Sequence, residues 1–481
     1  MARDPYSFRT LDKDLRRMTL AEHATLHSTR PVLRLGIALI FMAAAGYGAS
    51  AVFVGQPTFG ILAATVAVAA YLALSIGAND VSNALSPAVG AGAIGMTAGL
   101  CLVASMEVLG AVIAGQAVTR TLTQGLVGDA LGQGEATARM MLAALMAAGG
   151  FITLATWLDA PVSTTHSVVG AIAGASLASF GVQAVNWPAL GLIAVGWIAS
   201  PLISGTLAAL LLAALRRLVM QRPDRVAAAR IWLPAMVALA GAMLGAVGAL
   251  AWHDLQPGRI VTIALVAALA GGIYARLRLD RDIRANRGEK LAVKRLLAVP
   301  LVAAAAVMGF AHGANDTSNV AAPLGIVLDS LSTRGAPLEE GRLGLLLGGC
   351  GIALGVLLFG RRLVHMVGSK ITRLNPARGL CVAMATATTV LGFSALGLPV
   401  STTHIAVGGV FGIGFYREWL GRRQAQPQDE DEDVSLPAEE RRRRHLVRRS
   451  YMRMILGAWL VTVPAAAALA ALLVWISGIP A

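Results

Sequence analysis

The chain has 481 residues, 56% of them hydrophobic and only 14% charged, with 53 glycines, a mean hydropathy of +0.68 and a formal charge of +14. Soluble domains carry roughly 25% charged residues and about 45–50% apolar ones, so a soluble fold is excluded in favour of a polytopic membrane protein. The positive charge does not argue for nucleic acid, because the basic residues fall between apolar spans, where cytoplasmic loops concentrate Lys and Arg, and no aromatic-rich basic domain accompanies them.

Residues 1–34 are mixed and charged, which predicts a basic cytoplasmic tail rather than a cleaved signal peptide. Apolar stretches then occur near 35–54, 59–78, 96–118, 140–158, 188–215, 231–252, 260–275, 296–311, 343–359, 379–398 and 454–476. About 20 such residues cross a bilayer core as a helix, and helices satisfy their own backbone groups in lipid, so the expected fold is all-α. Abundant Gly and Ala suit close helix packing. Cys101, Cys350 and Cys381 stand singly within apolar stretches, which offers neither a disulfide framework nor a CxxC metal site.

The basic residues set the expected sides. Segments 1–34, 216–230, 276–295, 360–378 and 417–450 hold 34 of the 40 Lys and Arg, which assigns them and the N-terminus to the cytoplasm. Segments 360–378 and 417–450 then share a side although one long apolar segment, 379–416, separates them. It must enter and return. The same fold-back over 140–187 brings the first half into register with the basic loop at 216. Each half is therefore expected to hold a re-entrant hairpin, whose irregular tip is tolerated only where protein or a wet cavity surrounds it.

The two tips share a sequence. Residues 161–166 and 399–404 both read PVSTTH, 238 positions apart, while GANDVSN at 77–83 and GANDTSN at 313–319 lie 236 apart. Recurrence in the same order at nearly one offset marks a duplicated unit. The loop assignment makes the copies oppositely oriented, so two inverted repeats with broken helices near the midplane are expected, as in secondary transporters. The expected organisation is a tail over 1–34, an extra span at 35–54, a first repeat at 59–215 and a linker with two spans at 216–295. A second repeat at 296–476 follows, with the charged loop 417–450 inside it, whose run at 429–445 reads as solvated.

Taken alone, Gly-Ala-Asn-Asp is a turn signal. Two copies inside apolar surroundings read differently, because an ionised Asp80 or Asp316 costs roughly 2.5–3.5 kcal/mol there and needs a partner. With no Lys or Arg in the interior, that partner is a bound cation. Carboxylates and the amide oxygens of Asn79, Asn83, Asn315 and Asn319 suit sodium, with Asp80 and Asp316 as its metal ligands, or the carboxylates take protons. Glu107, mid-span, either joins the cation site or stabilises packing.

PVSTTH has the grammar of a helix start. Well-capped half-helices are one reading; the other is an anion site, since a helix N-terminus offers free N–H groups and a positive dipole end. Ser163, Thr164, Thr165, Ser401, Thr402 and Thr403 supply six hydroxyls if the tips meet, which suits a tetrahedral oxyanion. An anion beside two carboxylates is repelled unless cations enter with it, so cotransport is expected. His166 and His404 are candidates for a proton relay or for orienting hydrogen bonds. An intramembrane hydrolase built from Ser163, His166 and Asp80 is the enzyme alternative, and it leaves Thr164 and Thr165 unexplained.

With these motifs in place, the chain resembles the PiT family of inorganic phosphate transporters over roughly 59–215 and 296–476, through the paired motifs, EVLGAVIAG at 107–115 and GLPVSTTHIAVGGVFGIGF at 397–415. The resemblance implies phosphate held between the hairpin tips by the two Ser-Thr-Thr triplets, cations at the Asn-Asp elements, and coupling to sodium or to protons. Sulfate permeases are similar too, which leaves sulfate as the alternative anion. Family members often carry a glutamate early in the second hairpin, whereas 379–390 reads GLCVAMATATTV with no acid. The expected partners are inorganic phosphate, a coupling cation, the lipid bilayer and a second copy in a homodimer, with no nucleic acid and no cofactor. The expected location is the plasma membrane, the inner membrane if the source is bacterial, with the N-terminus in the cytoplasm.

Overall fold

A computed structural model describes residues 31–51, 58–127, 134–158, 162–252, 255–285, 293–331, 338–366, 375–424 and 449–478. The tail before residue 31, Pro161 and the charged run at 429–445 lie outside the described residues. In chain order the helices are α1 (Pro31–Ala51), α2 (Phe59–Gly90), α3 (Met96–Ala114), α4 (Gln116–Gly125), α5 (Glu135–Trp157), α6 (Thr164–Phe180), α7 (Trp187–Leu215) and α8 (Arg225–Leu250). They continue with α9 (Pro257–Ala285), α10 (Val293–Leu296), α11 (Ala298–Asp316), α12 (Ser318–Leu331), α13 (Leu338–Met366), α14 (Pro376–Ala395), α15 (Thr402–Gln424) and α16 (Arg449–Ile476). Among the described residues, ten helices are long and apolar enough to cross a membrane, with α11 and α12 taken together as one. Extended pairing among them is a single bridge, Val127 to Val185. The fold is all-α and polytopic.

The helix starts are written locally. Asn186 Oδ1 accepts from the Ala189 N–H at the head of α7, Asp224 Oδ1 accepts from Val226 and Ala227 at the head of α8, and Asn375 Oδ1 accepts from Ala377 at the head of α14. Each satisfies N–H groups that a first turn leaves unpaired. The apolar run read at 96–118 divides at Gly115 into α3 and α4. Helices α8 and α9 pack on each other, and α9 leaves Leu265, Leu269 and Leu277 exposed, a face suited to lipid.

Helix breakage differs from the expected pair of breaks. GANDTSN lies at the junction of α11 and α12, where the helix is interrupted at Thr317, but GANDVSN lies inside the continuous 32-residue α2. Pro87 and Pro323 follow both motifs at the same distance, so proline is not the cause. Serine stands at the same place in both copies, as Ser82 and Ser318, and the one sequence difference within the motif is Val81 against Thr317, where the interruption falls; beside it the Ser318 hydroxyl donates to the Asn315 carbonyl at 2.5 Å and competes with the backbone ladder.

Close packing brings the halves together. A methyl group at Gly77 would overlap the Ile352 carbonyl oxygen of α13, and one at Gly313 would overlap the Glu107 carbonyl oxygen of α3. The return contacts match: Gly355 meets the Leu74 carbonyl and Gly110 meets the Phe310 carbonyl. Only glycine permits this approach, and it brings the polar motif of each half against a helix packed at backbone distance.

The apolar core forms two clusters, one around α3, α11 and α14 and the other around α5, α6 and α12. Along α2 one cluster ends at Ile76 and the other begins at Val81; along α11 and α12 the change falls between Ala314 and Val320. Both boundaries coincide with the Asn-Asp motifs. A buried polar layer therefore separates two apolar bodies.

Candidate functional site

Four elements meet in that layer: α2, the α11–α12 junction, and the starts of α6 and α15. The serines of PVSTTH cap their helices, as Ser163 Oγ accepts from the His166 N–H at 3.1 Å and Ser401 Oγ accepts from the His404 N–H at 3.3 Å. The capping reading thus holds for both. It also removes the geometric basis for a Ser163–His166 nucleophile pair, since the serine meets the histidine backbone and neither His166 ring nitrogen has a hydrogen-bond partner among the described residues.

The threonines reach across to the other half. Thr164 Oγ1 donates to Asp316 Oδ2 at 3.2 Å, and Thr403 Oγ1 donates to Asp80 Oδ1 at 3.1 Å. Asn83 Nδ2 donates to Thr403 at 3.0 Å, and at the matching position of the second copy Asn319 Nδ2 donates to Thr165 at 3.4 Å. Thr165 Oγ1 donates in turn to the Val400 carbonyl at 3.1 Å, so the tips touch. The remaining Asn pair holds each motif to its own hairpin: Asn79 Nδ2 donates to Thr156 Oγ1 at 2.7 Å, and Asn315, with its amide turned to satisfy both ends, accepts from Ser394 Oγ at 3.0 Å. In that orientation Asn315 also donates to the Val400 carbonyl at 2.9 Å and to Asp316 Oδ1 at 3.1 Å.

His166 and His404 stack edge to face with ring centroids 4.3 Å apart, and His166 lies 3.9 Å from the Trp197 ring, whose Nε1 donates to the Pro399 carbonyl. The histidines that end the motifs are thus set into the aromatic backing of the tips.

A residue that the motifs did not single out sits at the centre instead. His312 Nε2 lies 3.1 Å from Asp316 Oδ2 and 3.8 Å from Asp80 Oδ2, and its Nδ1 lies 2.8 Å from Glu107 Oε1. All four side chains are buried. The signal was present in the sequence, since His312 stands four residues before Asp316 and therefore on the same helix face. Ligand atoms of Asp80, His312 and Asp316 lie within 4.8 Å of one another, close enough to surround one small cation. Even with the imidazole charged, three ionised carboxylates would leave a net charge of −2, which a bound cation or proton relieves.

Buried polar atoms without a hydrogen-bond partner gather at the same level: Asp80 Oδ2, Glu107 Oε2, Asn319 Oδ1 and Thr402 Oγ1, among the described residues. Buried polar groups are normally satisfied. The orphaned oxygens are hard donors, the chemistry a sodium ion or a proton requires, and Thr402 Oγ1 is a free donor for an anion oxygen.

The sequence comparisons bear on the same motifs. The model of the phosphate transporter family matches residues 76–470. The chain belongs to that family. A putative phosphate permease of Helicobacter pylori is 33% identical over 96% of this chain and 98% of its own. The chloroplastic inorganic phosphate transporter 2-1 of Arabidopsis thaliana is 32% identical over 86% of this chain and 71% of its own. Among solved structures, one described as the sodium-dependent phosphate transporter superposes with a TM-score of 0.77 at 31% identity, covering 87% of this chain and 98% of that one. This member of the phosphate transporter family is a membrane carrier of phosphate rather than an enzyme.

Proposed function

We propose that the chain is a cation-coupled phosphate symporter of the plasma membrane, working by alternating access of two inverted repeats whose re-entrant hairpin tips hold the anion between them. Its N-terminus and five basic segments face the cytoplasm in this reading. The observation that carries it is the crossed pairing of Thr164 with Asp316 and of Thr403 with Asp80, which ties each tip to the acidic motif of the opposite half. Ser163, Thr164, Thr165, Ser401, Thr402 and Thr403 bind phosphate. Asp80 and Asp316, with Asn79, Asn83, Asn315, Asn319 and Glu107 around them, bind the coupling cation.

The linkage is electrostatic. Phosphate brought beside Asp80 and Asp316 in a medium of low dielectric is strongly repelled, so the anion enters when a cation has neutralised the carboxylates, and leaves when the cation does. The sodium dependence in the description of the structural neighbour supports sodium as that cation. A proton is the second reading, favoured by His312, a nitrogen base set among three carboxylates where an all-oxygen shell would suit sodium better.

Radiolabelled phosphate uptake into proteoliposomes, under an imposed sodium gradient or an imposed pH gradient and with unlabelled sulfate as competitor, tests the proposal. Concentrative uptake that follows one gradient and ignores sulfate is expected. Accumulation of labelled sulfate with no concentrative phosphate uptake under either gradient would replace the anion.

A further inference from the structure

Three of the basic segments that mark the cytoplasmic side converge on one cavity. It is a half-open cavity of about 330 Å³ lined by Arg216, Arg378 and Arg417, with Gln221 and Asn375 beside them. Arg216 stands at the end of α7, where the helix widens into a π turn over Arg216–Met220; Arg378 lies in the first turn of α14, and Arg417 in the C-terminal half of α15. All three are half-buried. They stand apart from the phosphate-binding residues proposed above, because the α15 stretch from Thr402 to Arg417 measures about 22 Å.

The electrostatics of this cavity are unfavourable as they stand. Arg378 faces the charge of Arg417, and Arg417 faces the charge of Arg216. Arg139, Arg230 and Arg276 each pair with a carboxylate, whereas among the described residues none of the three cavity arginines does. Arg378 also places its charge in the first turn of α14, beside the positive end of the helix dipole, where an acidic side chain would be the stabilising choice. Three like charges, a helix N-terminus and two amide side chains around a half-open cavity are the complement of a compact anion. The planar forks of Arg match phosphoryl oxygens two at a time, and the cavity is at the lower end of the range of small-ligand sites.

We propose that Arg216, Arg378 and Arg417 form a second anion site, distinct from the transport site, for a doubly charged phosphoryl group. Inorganic phosphate on the inner side and the headgroup of an anionic lipid share that chemistry. Its placement on the inner side rests on the orientation proposed above; the site itself does not. Arg216 continues α7, which packs against α14 and at backbone distance against α15, so an anion held by all three arginines fastens together the ends of three helices that already form one packed group.

The test uses the full-length protein in nanodiscs of phosphatidylcholine alone or with added phosphatidic acid. Radiolabelled inorganic phosphate is titrated onto each, and the melting temperature is recorded. In phosphatidylcholine the wild type is expected to bind two phosphates per chain, and Arg378→Gln/Arg417→Gln one, with the lost site weakened about tenfold or more. If the lipid headgroup is the occupant, phosphatidic acid raises the wild-type melting temperature and reduces the phosphate count to one, while leaving the variant unchanged. Arg216→Gln removes the third fork singly and gives the same loss should the double variant fold poorly. One phosphate per chain in the wild type, with a melting temperature indifferent to phosphatidic acid, overturns the site.

Discussion

The two copies of the Asn-Asp motif share their wiring to the hairpin tips but not their surroundings. Asn83 with Thr403 and Asn319 with Thr165 are matched contacts, as are Asn79 with Thr156 and Asn315 with Ser394. The helix behind each motif is another matter. Gly313 lies against Glu107 and Gly77 against Ile352, and the residue before each glycine is His312 in one copy and Ile76 in the other. A buried Glu107–His312 pair in the second setting is thus replaced by two fully buried isoleucines in the first. The contacts between tips and Asn-Asp motifs are thus alike in the two copies, while the residues packed behind the motifs differ in charge.

The comparison breaks most completely at the two aspartates. Asp316 takes bonds from Thr164 and Asn315 and lies against His312, whereas Asp80 takes its bonds from Thr403 and Asn83 and meets His312 only at 3.8 Å. Asp316→Asn is expected to abolish concentrative phosphate uptake, a loss of at least about 100-fold on the scale of one essential charged contact. Asp80→Asn should also abolish coupling, with both proteins still eluting as folded species in size-exclusion chromatography. Normal cation-dependent uptake in both would refute the cation assignment.

The asymmetry itself is tested by removing it. Glu107→Ile alone leaves His312 buried without its closest partner and should cost about 3–5 kcal/mol, while Glu107→Ile/His312→Ile makes this setting resemble its counterpart and should recover most of the loss. Thermal melting in detergent measures both. Uptake should remain impaired in the double variant, and if the proton is the coupling ion its response to a pH gradient is expected to vanish. Equal destabilisation by the single and double changes would show that the pair is not coupled.

The close approaches offer a symmetric control. Gly77→Ala and Gly313→Ala each drive a methyl group into a carbonyl oxygen of the facing helix, and overpacking of this kind costs about 1–3 kcal/mol. The two should lose stability alike, because the backbone contact is the same in both copies whatever side chain lies beyond it.

These contrasts also explain what could be read from the chain. The repeated motifs and the meeting of Thr-Thr tips with Asn-Asp elements are legible because identical hexapeptides recur at one offset, each a helix start with hydroxyls at its first turn. His312 is not, although its spacing from Asp316 places it on the same face, because a single histidine in an apolar run has no repeat to draw attention to it: its counterpart is Ile76. Glu107 was found as a lone buried acid, but its partner is 205 positions away and only tertiary packing brings it within 2.8 Å. The convergence of Arg216, Arg378 and Arg417 was hidden for the same reason, since each stands at the edge of a different basic segment and reads there as an ordinary loop charge.

The smallest expected effect separates structure from ligand binding at a single hydroxyl. Thr164 and Thr402 occupy the same place in PVSTTH, yet Thr164 donates to Asp316 while Thr402 Oγ1 is buried without a hydrogen-bond partner among the described residues. Valine keeps the shape of threonine and removes the hydroxyl. Thr164→Val therefore strands part of a buried carboxylate and should cost about 1–3 kcal/mol. Thr402→Val breaks no bond to protein, so its stability should stay within about 0.5 kcal/mol of wild type or rise slightly, as an unsatisfied polar group is removed. If the free hydroxyl is held in readiness for an oxygen of phosphate, the KM for phosphate should nevertheless rise about tenfold, a net contribution typical of one hydrogen bond to a charged group. A Thr402→Val protein with unchanged stability and unchanged KM would assign the anion to the other hydroxyls and leave the two tips unequal partners in holding it.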